Sequence, residues 1–397
     1  MNQFNKDIIA ALSSDKDITL NEVLRRQIEV AANQFLQNEL TAVLGYEPHT
    51  RIDRSKDDVN YRNGAYARTI DTEYGEINLT IPRDRLNKFR NALFPPYVRR
   101  TDGLEEMVIK MYSKGVTTRE IADMVERMYG HYYSPTTVSN ITKRTDHLVE
   151  EFHERRFKYS QYVCVFLDAT YIPLRRGTVE REAVNVAIGI RSDGGKEVLD
   201  YRIAPTENGA AWSELLQGLR ARGIKDIQLF IADGLVGLQS AIEANYPQAK
   251  FQRCWVHAER NLLGYVRKND RREIITDFKA IRQAENLQAA KERLAAFSAK
   301  WESSYKRRIK NLVQMEELFT FFSFPTAIRQ TIYSTNLIES FNKSLNLKKM
   351  ARHKEQFPNE GALDRFIMTQ VMEYNDKFEN RAHRGFKDCH DTLDSMF

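Results

Sequence analysis

Tyr162-Val163-Cys164-Val165-Phe166-Leu167-Asp168 and Ile227-Gln228-Leu229-Phe230-Ile231-Ala232-Asp233 are two apolar runs that each close on an aspartate. Near-continuous runs of this kind, rich in Val, Ile and Phe, predict strands covered on both faces. In open α/β sheets the ligand site lies beyond the carboxyl ends of such strands. An aspartate there also simply starts a turn, and one alone would carry no more meaning than that. Two on matching strands would stand side by side and repel each other, and a hard divalent cation is the natural occupant between them. The pair therefore points to metal-assisted phosphoryl transfer.

Around these runs the sequence predicts a mixed sheet. Glu182 to Ile190 and Glu197 to Ile203 alternate, and Asp193-Gly194-Gly195 between them marks a tight antiparallel turn. Asn208 to Arg222 has helical period, with Trp212, Leu215, Leu216 and Leu219 on one face. After the Asp233 strand come a helix over Leu238 to Tyr246, closed by Pro247, and a short fifth strand over Lys250 to Val256. The order β-β-β-α-β-α-β, with Asp ending the first and fourth strands, is the ribonuclease-H-like arrangement. Enzymes of several activities share it, so fold alone does not fix function.

The chain of 397 residues has room for two or three domains. Sixty Lys and Arg against 54 Asp and Glu leave a net charge of +6, which suits a polyanionic partner and equally an ordinary basic protein. Its three cysteines, Cys164, Cys254 and Cys389, are too few and too scattered for a disulfide framework and fit a reducing cytoplasm. The N-terminus has no signal-peptide apolar region and no stretch is long enough to span a membrane, so a soluble intracellular protein is expected.

Ahead of the sheet, residues 1–45 carry helical spacing at Leu20, Val23, Leu24, Ile28, Ala31, Phe35 and Leu40, an amphipathic helix with a partner surface to find. Residues 46–100 are strongly basic. Ile70, Thr72 and Tyr74, then Gly75, then Ile77, Leu79 and Ile81 predict a β-hairpin. Arg62, Arg68, Arg83 and Arg85 are its candidate DNA contacts, and Tyr61, Tyr66, Phe89 and Phe94 serve either base stacking or hairpin packing. Residues 103–150 read as three short helices. Thr117 and Glu120 form a capping box for the second, and Ser134-Pro135 starts the third. That third helix offers Thr136, Thr137, Ser139 and Asn140, then Lys143 and Arg144, the order a recognition helix needs for base edges and phosphates. Most three-helix units do not bind DNA, so this segment decides nothing alone.

From Ala258 to about Thr331 the pattern is helical and dense in Lys and Arg, including Arg260. A solvated face accounts for much of this charge, and a surface tracking a phosphate backbone accounts for its sign. Phe319, Phe321, Phe322 and Phe324 read as core, and Trp301 as helix packing or as a platform for an extruded base. Ser334 and Thr335 are in place to cap a helix with Leu337, Ile338, Phe341 and Leu345 on its apolar side. Glu339 on that helix is the best candidate for a third carboxylate, although a lone helical Glu is usually surface. Asn342, Lys343, Lys348 and Lys349 follow it as candidate phosphate contacts, and a last apolar helix covers Leu363 to Tyr374.

Taken together, Leu167-Asp168-Ala169-Thr170-Tyr171, Ala232-Asp233-Gly234, Cys254-Trp255-Val256-His257 and Ser334-Thr335-Asn336-Leu337-Ile338-Glu339-Ser340-Phe341-Asn342 closely resemble the mutator-type (MULE-like) DDE transposases of bacterial insertion sequences. Asp168 and Asp233 lie 65 positions apart, and Asp233 and Glu339 lie 106 apart, as in that family's short first gap and long helical second gap. Tyr61-Arg62-Asn63-Gly64, Ile81-Pro82-Arg83-Asp84-Arg85 and Phe357-Pro358-Asn359-Glu360 agree as well. The resemblance implies that Asp168, Asp233 and Glu339 are the catalytic ligands of two Mg²⁺ ions, with Mn²⁺ able to substitute. It implies double-stranded DNA partners, both terminal inverted repeats and target, and strand cleavage followed by strand transfer through a circular intermediate. Cys254 and His257 match the family's Cys-x-x-His signature. One such pair is too few ligands for zinc, so His257 is expected near the catalytic centre and Cys254 as structural.

The domains expected are 1–45, a helical dimerisation or DNA-binding region; 46–100, the basic hairpin; 101–155, a helix-turn-helix-like DNA-binding domain; 156–257, the first part of a ribonuclease-H-like core; 258–333, an all-helical insertion; and 334–397, the rest of the core with C-terminal helices. Two ends must be brought together, so a homodimer is expected, in the bacterial cytoplasm at the nucleoid. A transposase-derived DNA-binding regulator without catalysis would have no reason to keep three metal ligands. A ribonuclease-H-like nuclease on RNA–DNA hybrids would not need the basic N-terminal region or the long insertion.

Overall fold

The computed structural model describes residues 18–52, 59–235, 237–349 and 356–397, without the side chains of 346–349. Two compact units, 1–144 and 145–397, divide the chain.

In the first unit, helix α1 (Leu20–Leu44) begins on the side chain of Thr19, which accepts from the Glu22 N–H, and ends at Gly45 in the left-handed region. Strands β1 (Arg62–Thr72) and β2 (Gly75–Asp84) form the hairpin read from the sequence. Ala32 and Leu36 of α1 pack with Ile70, Ile77, Leu79 and Ile81 of the hairpin, so the helix finds its partner surface within its own unit. The buried stripe is Val23, Ala32, Leu36 and Leu40. Leu20, Ala31 and Phe35, expected on that face, are exposed. The helix is apolar enough on two sides for a spacing count to mix them, and only the hairpin decides between them.

The three short helices follow as α2 (Asp102–Ser113), α3 (Thr118–Tyr129) and α4 (Pro135–Thr142). The Thr117–Glu120 capping box forms with both of its hydrogen bonds. Ser134 accepts from the Thr137 N–H, and Pro135 stands in the first turn where its missing N–H costs nothing.

The second unit opens with α5 (Asp146–Glu154) and is built on a mixed five-stranded sheet. Its strands are β3 (Gln161–Arg175), β4 (Val179–Ile190), β5 (Lys196–Ala204), β6 (Asp226–Ala232) and β7 (Lys250–Arg253), in the spatial order β5-β4-β3-β6-β7. The antiparallel pairs are β3–β4 and β4–β5; β6 and β7 run parallel to β3. Residues 162 to 167 are all buried, as the apolar run requires. Helices α6 (Gly209–Ala221) and α7 (Leu238–Asn245) cover one face, where Trp212, Leu215, Leu216, Leu219, Leu238 and Ile242 join the sheet's Tyr162, Val165, Leu167 and Phe230 in one core. Each such fully buried side chain contributes about 1.5–3 kcal/mol.

Two boundaries differ from the sequence reading. The first strand does not end at Asp168 but runs on to Arg175, because β4 continues to pair with it from Asp168–Val186 to Arg175–Val179 after β6 has stopped. The fifth strand is only four residues long, and Trp255 already begins helix α8 (Trp255–Leu263). The Cys254 N–H donates to the Ala232 carbonyl, and the Trp255 N–H donates to the Tyr333 carbonyl and so leaves the sheet.

Next come α9 (Arg271–Arg282), α10 (Leu287–Val313) and α11 (Thr326–Ile332), with no strand among the described residues from 255 to 335. Phe319, Phe321, Phe322 and Phe324 are buried there, as expected of core. Trp301 is buried too, and its indole N–H donates to Asp277, so it offers no open platform for a base. Helices α12 (Asn336–Lys349) and α13 (Glu360–Phe378) pack on the strands, α12 against β3 and β4 and α13 against β5 and β3. Asn359 caps α13, and Phe357 hydrogen-bonds the far end of β3 through Pro173 and Arg175. The chain finishes on α14 (His390–Asp394). No helix among the described residues is long and apolar enough to cross a membrane.

Candidate active site

Backbone register sets the first two carboxylates. Gln161 lies opposite Asp226 and Phe166 opposite Ile231, and the same offset carried two residues further sets Asp168 against Asp233, just past the end of β6. Asp168 is thus mid-strand on β3 yet at the edge of its parallel pairing. Asp233 begins the turn after β6, and its carboxylate accepts from the Leu235 N–H.

Glu339 arrives on the first turn of α12, its main-chain N–H donating to the Thr335 carbonyl. The Asn342 side-chain amide donates to the Asp168 carboxylate at 2.8 Å, so the helix touches the strand directly. Burial first, and then the nearby Asp233 and Glu339 charges, push the Asp168 carboxyl up to about 6, although Asn342 and His257 draw it down. The three acidic groups therefore share one electrostatic neighbourhood.

Glu339 itself is held by cations. Arg260 on α8 donates to both of its carboxylate oxygens, at 3.0 and 3.1 Å, and His257 Nε2 lies 3.5 Å from Oε1. Arg260, expected on DNA, is committed to this pair. Neighbouring Cys254 raises His257 to about 9, helped by Asp168 and Glu339 against the effect of burial. Burial pushes the Cys254 thiol up, but its hydrogen bonds with His257 and Thr335 outweigh that and bring it below the usual range.

Cys254 is a fully buried joint. Its sulfur accepts from the Thr335 N–H at 3.3 Å and from the Thr335 hydroxyl at 3.2 Å. Thr335, expected to cap α12 through its side chain, turns that side chain to Cys254 instead. The path Asp233–Ala232–Cys254–Thr335–Glu339 thus links two of the acids by main-chain and thiol hydrogen bonds.

A fourth acid stands beside these, one that the sequence reading missed. Glu207, between β5 and α6, accepts from the Trp212 indole N–H at 3.1 Å. Burial, then the charge of Asp233, raises its carboxyl to about 7, with Asp168 adding in the same sense. A Glu one residue ahead of a helix cap leaves no pattern in the sequence.

The donor set suits a hard divalent cation, since acidic groups that raise one another are relieved by a shared positive ion with oxygen ligands. Among the described residues no group of three or more His, Cys, Asp or Glu is drawn together tightly enough to hold a metal ion. The Glu339 carboxylate faces Arg260.

The remaining candidates fall into two groups. Arg62 is turned onto α1, donating to the Tyr46 carbonyl and the Thr41 hydroxyl, and Arg68 ties down the carbonyls of Phe94, Pro95 and Val98. Arg144 is ion-paired with Glu105. These three arginines brace their own unit, Arg62 and Arg68 half-buried and Arg144 exposed. Arg83, Arg85, Thr136, Asn140 and Lys143 are exposed. Ser139 is half-buried, and Thr137 is half-buried beside the Ser134 hydroxyl. Lys343 is exposed on α12, and the side chains of Lys348 and Lys349 lie outside the described residues.

A model of the transposase Mutator family matches residues 2–381. The transposase for insertion sequence element IS905 of Lactococcus lactis is 48% identical over all of this chain and all of its own length. That for IS1201 of Lactobacillus helveticus is 49% identical over 94% of this chain and 100% of its own. A solved structure, the Drosophila P element transposase strand transfer complex, aligns with 77% of this chain and 86% of its own at 11% identity and a TM-score of 0.31, too loose a likeness to define a common fold. The chain belongs to the Mutator family of transposases.

Proposed function

We propose that this protein is the DDE transposase of a bacterial insertion sequence, acting in the cytoplasm as a homodimer that binds the element's terminal inverted repeats. Asp168, Asp233 and Glu339 would hold two Mg²⁺ ions, or Mn²⁺ in their place. The observation that carries this reading is the level register of Asp168 and Asp233, with Glu339 near enough to raise Asp168. When bound, the ions would activate an attacking oxygen and stabilise the leaving oxygen at phosphorus. The residues of the chain do the rest. Asn342 fixes the rotamer of Asp168, while Arg260 and His257 neutralise Glu339 until the site is loaded. Arg260 is then free to turn to a DNA phosphate. The sheet is read as a ribonuclease-H-like core and the helices from α8 to α11 as its insertion. Exposed Arg83, Arg85, Thr136, Asn140 and Lys143 are read as the DNA-contacting set of the first unit, and strand transfer through a circular intermediate is read from the family.

The test uses duplexes copied from the ends that flank the coding region. With Mg²⁺ the parent protein should nick them to leave a 3′-hydroxyl at the element boundary, and Asp168→Asn and Glu339→Gln should not. Cleavage that persists in Asp168→Asn, or that needs no divalent metal, would end this reading.

A further inference from the structure

Beside Asp233 lies a cavity of about 360 Å³ whose walls come from the turn after β6, from α8 and its C-terminal end, and from α10. Arg62, Arg68, Arg144 and Arg260 each have an internal partner. Two arginines here have none with an acid among the described residues. Arg253, the last residue of β7, lies against the main chain of Gly234, where any Cβ would collide with its guanidinium. Its Nε is buried without a hydrogen-bond partner. Arg308 on α10 lies over the Tyr265 ring, 3.2 Å from its centroid, and Tyr265 is 59% exposed. Asn261 and Asn311 add amide groups to the wall, and among the described residues Asp233 is the only carboxylate that lines it.

This combination selects one kind of ligand. Two unpaired guanidiniums favour an anion of phosphate geometry. An exposed aromatic ring stacked with a guanidinium offers a flat face, which any nucleobase can cover. Carboxamides on the wall can meet the edges of that base. Asp233 lines the cavity, so its occupant belongs to the strand that reaches the acidic residues.

We propose that this cavity seats one unpaired nucleotide of the DNA strand, next to the phosphodiester that is cut, with its phosphate on Arg253 and Arg308 and its base stacked on the Tyr265–Arg308 pair. The inference rests on the transposase reading and adds to it a substrate subsite. It also explains why Gly234 follows Asp233, since a side chain there would displace the guanidinium from the cavity. Buried Trp301 cannot take this role.

The test is binding by the full-length protein in metal-free buffer, measured by fluorescence anisotropy with end duplexes. One set is intact, and the others each lack a single base near the element boundary. Tyr265→Ala should weaken binding to the intact duplex about tenfold, the scale of one base–aromatic stack. It should cost nothing on the duplex that lacks the seated base. Tyr265→Phe should bind like the parent, and Arg308→Ala should weaken binding and lower its salt dependence. A Tyr265→Ala penalty that is the same on every duplex, or absent on all of them, would overturn the subsite while leaving the transposase reading in place. A parent protein that binds end duplexes no better than unrelated DNA would overturn the transposase reading and the subsite with it.

Discussion

Asp168 and Asp233 are held in one way and Glu339 in another. Asp168 lies on β3 and Asp233 directly follows its parallel neighbour β6, so their spacing follows the backbone ladder and no side chain has to be right for it. Glu339 comes from a helix far along the chain and is located through side chains: the Cys254–Thr335 joint, the Asn342–Asp168 hydrogen bond and the grip of Arg260. The first arrangement leaves mutual repulsion in place, and the second neutralises its charge. Rigid spacing and adjustable delivery are what a site needs if one carboxylate must move when its ligands arrive.

Exchanging the acids should break this contrast most visibly. Asp233→Asn and Glu339→Gln should each reduce end cleavage by at least about a thousandfold. In metal-free protein, however, Asp233→Asn should raise the urea midpoint and Glu339→Gln should not, because Glu339, although its charge also raises Asp168, loses its pairing with Arg260 and His257 when neutralised. Equal shifts in both variants would show that the two acids are held alike.

The next effect is on pH. Asp168 is raised in the fold from 3.8 to about 6, so the folded state keeps a proton that the unfolded chain releases. Metal-free stability should therefore be fullest below pH 4 as far as this group is concerned, and decline as pH rises through 6. The loss is at most about 3 kcal/mol, two pH units at 1.36 kcal/mol each. Glu207, raised to about 7, acts with the same sign. Denaturant midpoints from pH 4 to 8 should slope less in Asp168→Asn, and an unchanged slope would show that Asp168 is not the group responsible.

Smaller again is the joint. Cys254→Ala removes the acceptor of two buried hydrogen bonds from Thr335 and should cost roughly 1–3 kcal/mol. Pairing it with Thr335→Val, which removes the hydroxyl donor, should recover part of that loss in a double-mutant cycle. Strict additivity would mean that the thiol and the hydroxyl do not act together. Least of all, Arg260→Ala should change stability by under about 1 kcal/mol, because the guanidinium is more than half exposed and screened by water. Its effect should appear in DNA cleavage instead.

Much of the frame was legible because it rests on local pattern. The apolar runs at Tyr162 and Ile227, the Asp193-Gly194-Gly195 turn and the Trp212 helix face each declare their element within a dozen residues. The end of β3 was hidden, because whether a strand stops depends on which neighbour it still has, and β4 outlasts β6. The fates of Arg62, Arg68 and Arg260 were hidden for a related reason. Their partners, such as Thr41, Phe94 and Glu339, lie up to 79 positions away, and composition does not encode such pairings. Glu207 was invisible because its meaning comes only from the carboxylates around it.

The short strand β7, four residues at the sheet's edge, passes directly into α8 through Cys254. Everything between α8 and α12 therefore leaves and re-enters the core at a single seam, where Trp255 meets Tyr333 and Cys254 meets Thr335. Segments closed at one such point can lengthen or shorten over evolutionary time at little cost in closure entropy. Relatives of this chain should accordingly differ most in size there, while the two aspartates keep their separation.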